Sequence, residues 1–134
     1  MKYLSVVLVL FCSLVSFSKT STGEETDKYT YGIESYQNGE YQKAVDFLEQ
    51  ASKENPDNDV ILYNLGVAYF SLGDYFSATE MFNTALLLNV EFPEVYYALG
   101  SLYLKSENRD LAKMNYKKAC DFGLNKGCVV YQNL

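Results

Sequence analysis

A step of 34 residues organises this chain. Gly32, Gly66 and Gly100 keep it, as do Ala44, Ala78 and Ala112, and Ala51, Ala85 and Ala119. Tyr29, Tyr63 and Tyr97 keep it too, and Gly39 and Gly73 stand one step apart. Several independent columns in one register mark an internal repeat, which must be recognised before any other reading. The units run 25–58, 59–92 and 93–126 without a gap, and residues 127–134 remain as a stub.

Each unit reads as two helices. Leu62, Leu65, Gly66 and Tyr69 recur at three- and four-residue steps, which puts an apolar stripe on one helical face. Leu72-Gly73-Asp74 interrupts that period, with Gly73 suited to the left-handed residue that ends a helix. Tyr75, Ala78, Phe82 and Ala85 form a second stripe, closed by the approach to Pro93, since proline disfavours helix in the preceding residue. Asn55-Pro56-Asp57 punctuates the first two units in the same way. The small residues predict close helix approach, with Gly66 expected opposite Ala78 across its hairpin. One hairpin cannot cover its own stripe, whereas three stacked ones bury a continuous core. The fold expected is all-α, a right-handed superhelical stack of three helix-turn-helix units with residues 127–134 as a short capping helix.

The spacing Leu62-x-x-Leu65-Gly66-x-x-Tyr69 followed by Ala78-x-x-x-Phe82-x-x-Ala85 resembles the tetratricopeptide repeat. The first unit carries the pattern as Tyr31-Gly32, Ala44, Leu48, Ala51 and Pro56. The third carries it as Tyr96, Leu99-Gly100, Tyr103, Ala112, Tyr116 and Ala119. There are departures. Lys28 stands where a large apolar residue is usual, which fits an exposed first helix. Glu107 replaces the turn glycine, and Asn108 is the residue expected to turn left-handed in its place. Val90 and Leu124 replace the closing proline. Ala119-Cys120-Asp121-Phe122-Gly123 followed by Gly127-Cys128 is similar to the Sel1-like, cysteine-rich repeats of secreted bacterial proteins. That resemblance implies a disulfide between Cys120 and Cys128 that pins the stub as a cap. Two unpaired thiols are the competing reading.

The N-terminus has its own pattern. Lys2 supplies a positive start, Tyr3 to Phe17 runs without a charge, and Ser16 and Ser18 are small residues placed for a cut before Lys19. Those are the parts of a secretory signal peptide over 1–18, followed by a flexible linker over 19–24. The fifteen-residue run falls short of the roughly 20 a spanning helix needs. An uncleaved membrane anchor is the alternative. A lipid on Cys12 is a weaker one, because the large Phe11 precedes it. The expected location is the periplasm or the exterior, where an even cysteine count favours a disulfide.

Charge and residue content exclude several functions. Removing Lys2 leaves ten basic against seventeen acidic side chains, net −7, which opposes contact with nucleic-acid phosphates or an anionic membrane surface. The chain contains no histidine, the commonest general base and metal ligand. Two cysteines alone do not close a zinc site, and no nucleotide-type glycine loop occurs. Ser16-x-x-Lys19 matches a short hydrolase motif but straddles the expected cut. No catalytic constellation, metal site or cofactor site is expected, and the chain is read as a non-enzyme.

Function in a repeat stack lies on the surfaces it presents. The tetratricopeptide resemblance implies an extended peptide held along the concave face of the first helices. The residues expected there form three rows: Tyr29, Tyr63 and Tyr97; Ile33, Val67 and Ser101; Tyr36, Phe70 and Leu104. Tyrosine gives such a groove large contact area with few rotors. Asn64 matches a residue the family uses to bond a ligand's backbone. The family's carboxylate-binding groove needs several cations, but Thr26, Thr30, Val60, Glu94 and Ala98 stand near those places, and Lys105 is the one base along the rows. An apolar or aromatic peptide is therefore expected rather than an acidic tail. The competing reading is that some of these rings are core, as aromatic stripes at helical spacing often are. The function expected is an adaptor for a protein or peptide partner. The alternatives are an assembly or secretion accessory factor at the cell envelope, a self-assembling structural piece, and, through the Sel1-like likeness, a cell-wall or β-lactam hydrolase without visible catalytic residues.

Overall fold

The computed structural model of the chain describes the backbone of residues 22–134 and the side chains from Lys28 onward. The expected signal peptide, and all of the expected linker before Thr22, lie outside the described residues. Among the described residues seven helices follow in order: α1 (Thr22–Gln37), α2 (Tyr41–Glu54), α3 (Asp59–Leu72), α4 (Tyr75–Leu88), α5 (Pro93–Lys105), α6 (Arg109–Asp121) and α7 (Asn125–Asn133). Among the described residues there is no strand, and no helix is long and apolar enough to cross a membrane. α1 opens three residues ahead of the expected unit boundary, so Thr22–Glu24 are helical rather than linker. α7 likewise opens at Asn125, two residues before the expected cap.

The helix ends follow local chemistry. Asn58 caps α3, its side chain accepting from the amides of Val60 and Ile61 at 3.1 Å each. Asp74 caps α4 and Asn108 caps α6 through the amides of Ser77 and Leu111. Gly39 and Gly73 leave their helices left-handed at φ 78° and 84°. In the third unit the left-handed residue is Glu107 itself, at φ 59°, not Asn108. The turn geometry is dictated by the stacked hairpin, so the residue at the glycine position adopts it although it carries a side chain. Asn108 stays at φ −88° because its side chain is committed to capping α6.

The helices stack as three hairpins in a right-handed superhelix with α7 closing the end. Each hairpin packs on itself and on the first helix of the next unit. α1 also meets α3, and α3 meets α5, so the first helices line the inner curve and the second helices stand outside. Two apolar clusters form the core. One gathers Ala44, Val45, Leu48, Leu65 and Ala68, the other Leu62, Ala78, Phe82, Ala85, Val95, Leu99 and Leu102. The alanine columns are fully buried in all three units. The glycine column has a different partner from the one expected. A Cβ on Gly66 would lie 2.6 Å from the Phe82 ring, one helical turn beyond Ala78. Gly32 meets Leu48 and Gly100 meets Tyr116 in the same way. The missing side chain makes room for a large buried residue of the facing helix.

Candidate functional site: the inner curve

All three expected rows are on the first helices, and the stack brings successive members together. Two hydrogen bonds bridge units one and two along the inner face. Asn64 Nδ2 donates to the Tyr29 hydroxyl at 3.0 Å, and the Tyr36 hydroxyl meets Ser71 Oγ at 3.1 Å. Both pairs are 35 residues apart, one more than the repeat, because successive first helices are offset by about one position at their contact.

The rings are half-buried, with one face on the core. Tyr29, Ile33 and Tyr36 pack on the first core cluster, and Tyr63, Val67 and Phe70 on the second. The Tyr63 ring lies 6.2 Å from Phe82 and 5.2 Å from Phe92, while Phe70 sits 5.5 Å from Tyr75 and Tyr36 5.3 Å from Tyr41. Tyr97 meets Tyr116 edge-on at 5.2 Å. Burial, followed by the Glu94 carboxylate and Tyr36, raises the Tyr63 hydroxyl above its ordinary pKa of 10.0. The rows thus divide. Leu104, in the last turn of α5, is exposed, as is Val60 in the first turn of α3. Tyr63 and Tyr97 hold the stack together while presenting an edge. Ser101 Oγ bonds the Tyr116 hydroxyl at 2.9 Å and the Tyr97 carbonyl at 3.1 Å. Asn64 also donates to the Val60 carbonyl at 2.9 Å, so its amide nitrogen serves the protein's own structure.

Three inner-face residues were not legible from the columns. Phe92 comes from the loop before α5 and covers Tyr63. Ser71 extends the third row. Lys126, from α7, sets its ammonium 4.4 Å from the centre of the Tyr97 ring and brings a second base to the groove in addition to Lys105. A search at 35-residue steps finds Ser71. Lys126 stands 34 residues after Phe92 and meets Tyr97 as Phe92 meets Tyr63, so one column supplies both contacts with different residue types.

At the far end the Cys120 and Cys128 sulfurs are 1.98 Å apart, with their Cα atoms separated by 4.5 Å. Gly127 makes that approach possible, since a Cβ there would stand 2.8 Å from Ala119 Cβ. Among the described residues no three histidine, cysteine, aspartate or glutamate side chains gather where a metal could sit.

These features define a class, the helical-hairpin repeat proteins whose inner curve is a half-buried aromatic surface. The particular family is the tetratricopeptide repeat family, to which the chain belongs: its sequence description matches residues 35–102, about half of the chain, and again residues 93–122. No curated protein sequence matches the chain. Among solved structures, PcrH in complex with the chaperone-binding region of PopD superposes with a TM-score of 0.80 at 16% identity, over 86% of this chain and 93% of that one. The Yersinia enterocolitica type III secretion translocator chaperone SycD gives 0.80 at 13% identity, over 85% and 92%. The first repeat domain of Spaghetti (RPAP3), bound to the HSP90 peptide SRMEEVD, gives 0.76 at 21% identity, over 83% and 90%. At these identities the likeness establishes the fold.

Proposed function

We propose that this chain is an exported, non-catalytic adaptor that holds an extended segment of another polypeptide along the inner curve of its repeats. The observation that carries this reading is the inner face itself, largely aromatic and aliphatic from Tyr29 to Leu104 and tied between the first two units by hydrogen bonds. A preorganised apolar groove binds with little ordering cost. The fold is shared with proteins solved in complex with a PopD region and with an HSP90 peptide, which supports a polypeptide guest. The guest chemistry follows from the lining: apolar side chains against Val60, Val67, Phe70 and Leu104, with acidic groups only near Lys126 at the start of α5 or Lys105 at its end. Export rests on the N-terminal pattern of Lys2, the uncharged run and Ser16/Ser18. In that compartment Cys120 and Cys128 persist as a disulfide, in the manner of a Sel1-like end, and pin α7.

A second reading, a chaperone or accessory factor for an assembly at the cell envelope, is favoured by one observation. Of the two structures with a TM-score of 0.80, one is a type III secretion translocator chaperone and the other is held by a chaperone-binding region.

The test is affinity capture from an envelope extract with the wild-type protein and a Val60→Asp, Leu104→Asp variant. Both positions are exposed, so the substitutions leave the core intact. The tyrosines and Asn64 are poorer probes, since they also hold the stack. Loss of a captured polypeptide with the variant is expected, while equal recovery by both proteins rejects the groove.

A further inference from the structure

The outer stripe of α4 differs from those of the other two second helices. On α2 it reads Gln42, Asp46, Glu49 and Lys53, and on α6 Asp110, Met114, Lys117 and Asp121. On α4 the same four columns hold Phe76, Glu80, Asn83 and Leu87. Phe76 and Leu87 are 80% and 86% exposed, the most exposed of all the large apolar residues described. Leu72, Tyr75, Leu88 and Val90, near the two ends of the helix, are exposed as well. Phe76 and Leu87 frame the polar pair Glu80 and Asn83, and exposed apolar side chains gathered on one helix face mark an interaction site.

We propose that this face binds a second copy of the chain, α4 against α4 in antiparallel order about a two-fold axis between Met81 and Phe82. The stripe is self-complementary in that register. Phe76 meets the partner's Leu87 at each end of the contact. Glu80, the one charged residue within α4, falls opposite the partner's Asn83, whose amide can donate to it. Parallel pairing would instead set Glu80 against Glu80 of the other copy, so charge selects the antiparallel arrangement. Such a contact is isologous, as a closed dimer requires. α4 is the middle helix of the outer curve, so the charged faces of α2 and α6 fall away on either side. A membrane is the wrong occupant, since the stripe carries no cation and the chain is strongly acidic. The contact uses the face opposite the inner groove and does not depend on what that groove binds.

One helix pair, about 21 Å long, is a small interface. The dimer is accordingly weak, with a dissociation constant on the order of 10–100 μM. The experiment is sedimentation equilibrium of the purified protein from about 5 to 500 μM. A monomer–dimer equilibrium is expected. Phe76→Glu and Leu87→Glu each weaken it at least about thirtyfold, because each removes two apolar contacts per dimer. Asp110→Glu, in the Phe76 column of α6, leaves it unchanged. Asn83→Glu weakens it by setting two carboxylates face to face. Adding Glu80→Arg to Asn83→Glu restores it, because the introduced guanidinium then faces the introduced carboxylate of the other copy. Circular dichroism of each variant confirms the fold. A protein monomeric across the whole range overturns the proposal, as does a dimer indifferent to Phe76→Glu. A dimer weakened by Phe76→Glu but not restored by the Glu80→Arg, Asn83→Glu pair overturns the antiparallel register.

Discussion

Replacing Gly66 with alanine should destabilise this protein, and whether it does so depends on one ring. A Cβ at Gly66 would stand 2.6 and 2.7 Å from two carbons of Phe82, a side chain with no exposed surface and the largest of those fully buried. The ring has no free space to enter, so the facing helices must separate. Overpacking of this kind costs about 1–3 kcal/mol, and the closeness of two contacts places it near the top of that range. Alanine returns about 1 kcal/mol as a better helix former. The net is a loss of about 2 kcal/mol, or a fall in Tm of roughly 8 °C for a chain this size. In a Phe82→Ala background the obstruction is gone and only the propensity remains, so the same substitution should stabilise by up to about 1 kcal/mol. Gly73→Ala is the control. Nothing lies within 4 Å of its Cβ, but its φ of 84° is strained for alanine, so it should cost about 1–2 kcal/mol in both backgrounds. Urea unfolding followed by far-ultraviolet circular dichroism measures all six proteins. A cost for Gly66→Ala that is the same with and without Phe82 would refute the close-approach account.

Three further outcomes follow from the same geometry. Glu107→Gly should raise stability by about 0.5–1 kcal/mol, because it relieves a left-handed backbone at φ 59° where the other two units have glycine; a thermal melt decides it. Burial raises the hydroxyls of Tyr63 and Tyr116, and burial followed by the bond to Glu49 raises that of Tyr69, all above the ordinary 10.0. Their contribution is therefore complete below about pH 10 and lost above it, as the unfolded chain ionises first; Tyr69→Phe should flatten the alkaline fall in urea midpoint. Reducing the bond between Cys120 and Cys128 should cost about 2–3 kcal/mol at most, the range for so short a loop, and fray α7 first; hydrogen exchange of the α7 amides with and without reductant reads it, and equal protection would show the cap holds without the bond.

Much of this fold is legible in the sequence because repetition multiplies a weak signal. Any one of Ala44, Ala78 or Ala112 is an ordinary alanine, but three at a fixed step, each with no exposed surface, are a packing constraint written three times. Legibility ends where a contact is not a column. Two small residues suit a close approach, which pairs Gly66 with Ala78 on paper, yet the structure uses glycine to admit the large Phe82 ring instead. Intrinsic preference favours Asn108 over Glu107 for the left-handed turn, but the cap of α6 needs Asn108 elsewhere. The inner rows fall on the expected helices, but their hydrogen-bond partners lie 35 residues on, at Asn64 and Ser71, a step that columns at 34 pass over.

The same reasoning separates two kinds of tyrosine that composition cannot tell apart. Tyr116 fills the space opposite Gly100 and is buried, so its column partners Leu48 and Phe82 share its role and its size class. Tyr29, Tyr63 and Tyr97 also form a column; Tyr63 and Tyr97 share a contact with the column of Phe82 and Tyr116, but each of the three adds a neighbour of its own kind: an asparagine amide, the Phe92 ring, and a lysine from the cap. A column whose partners are uniform is fixed by packing, which every unit must satisfy alike. A column whose partners differ in part from unit to unit meets that demand with one face only, and the other face has the latitude a surface needs to fit a guest that does not itself repeat. Functional residues in a repeat array should therefore be sought where the register holds and the environment does not, which here means the inner row of tyrosines and the apolar stripe of α4.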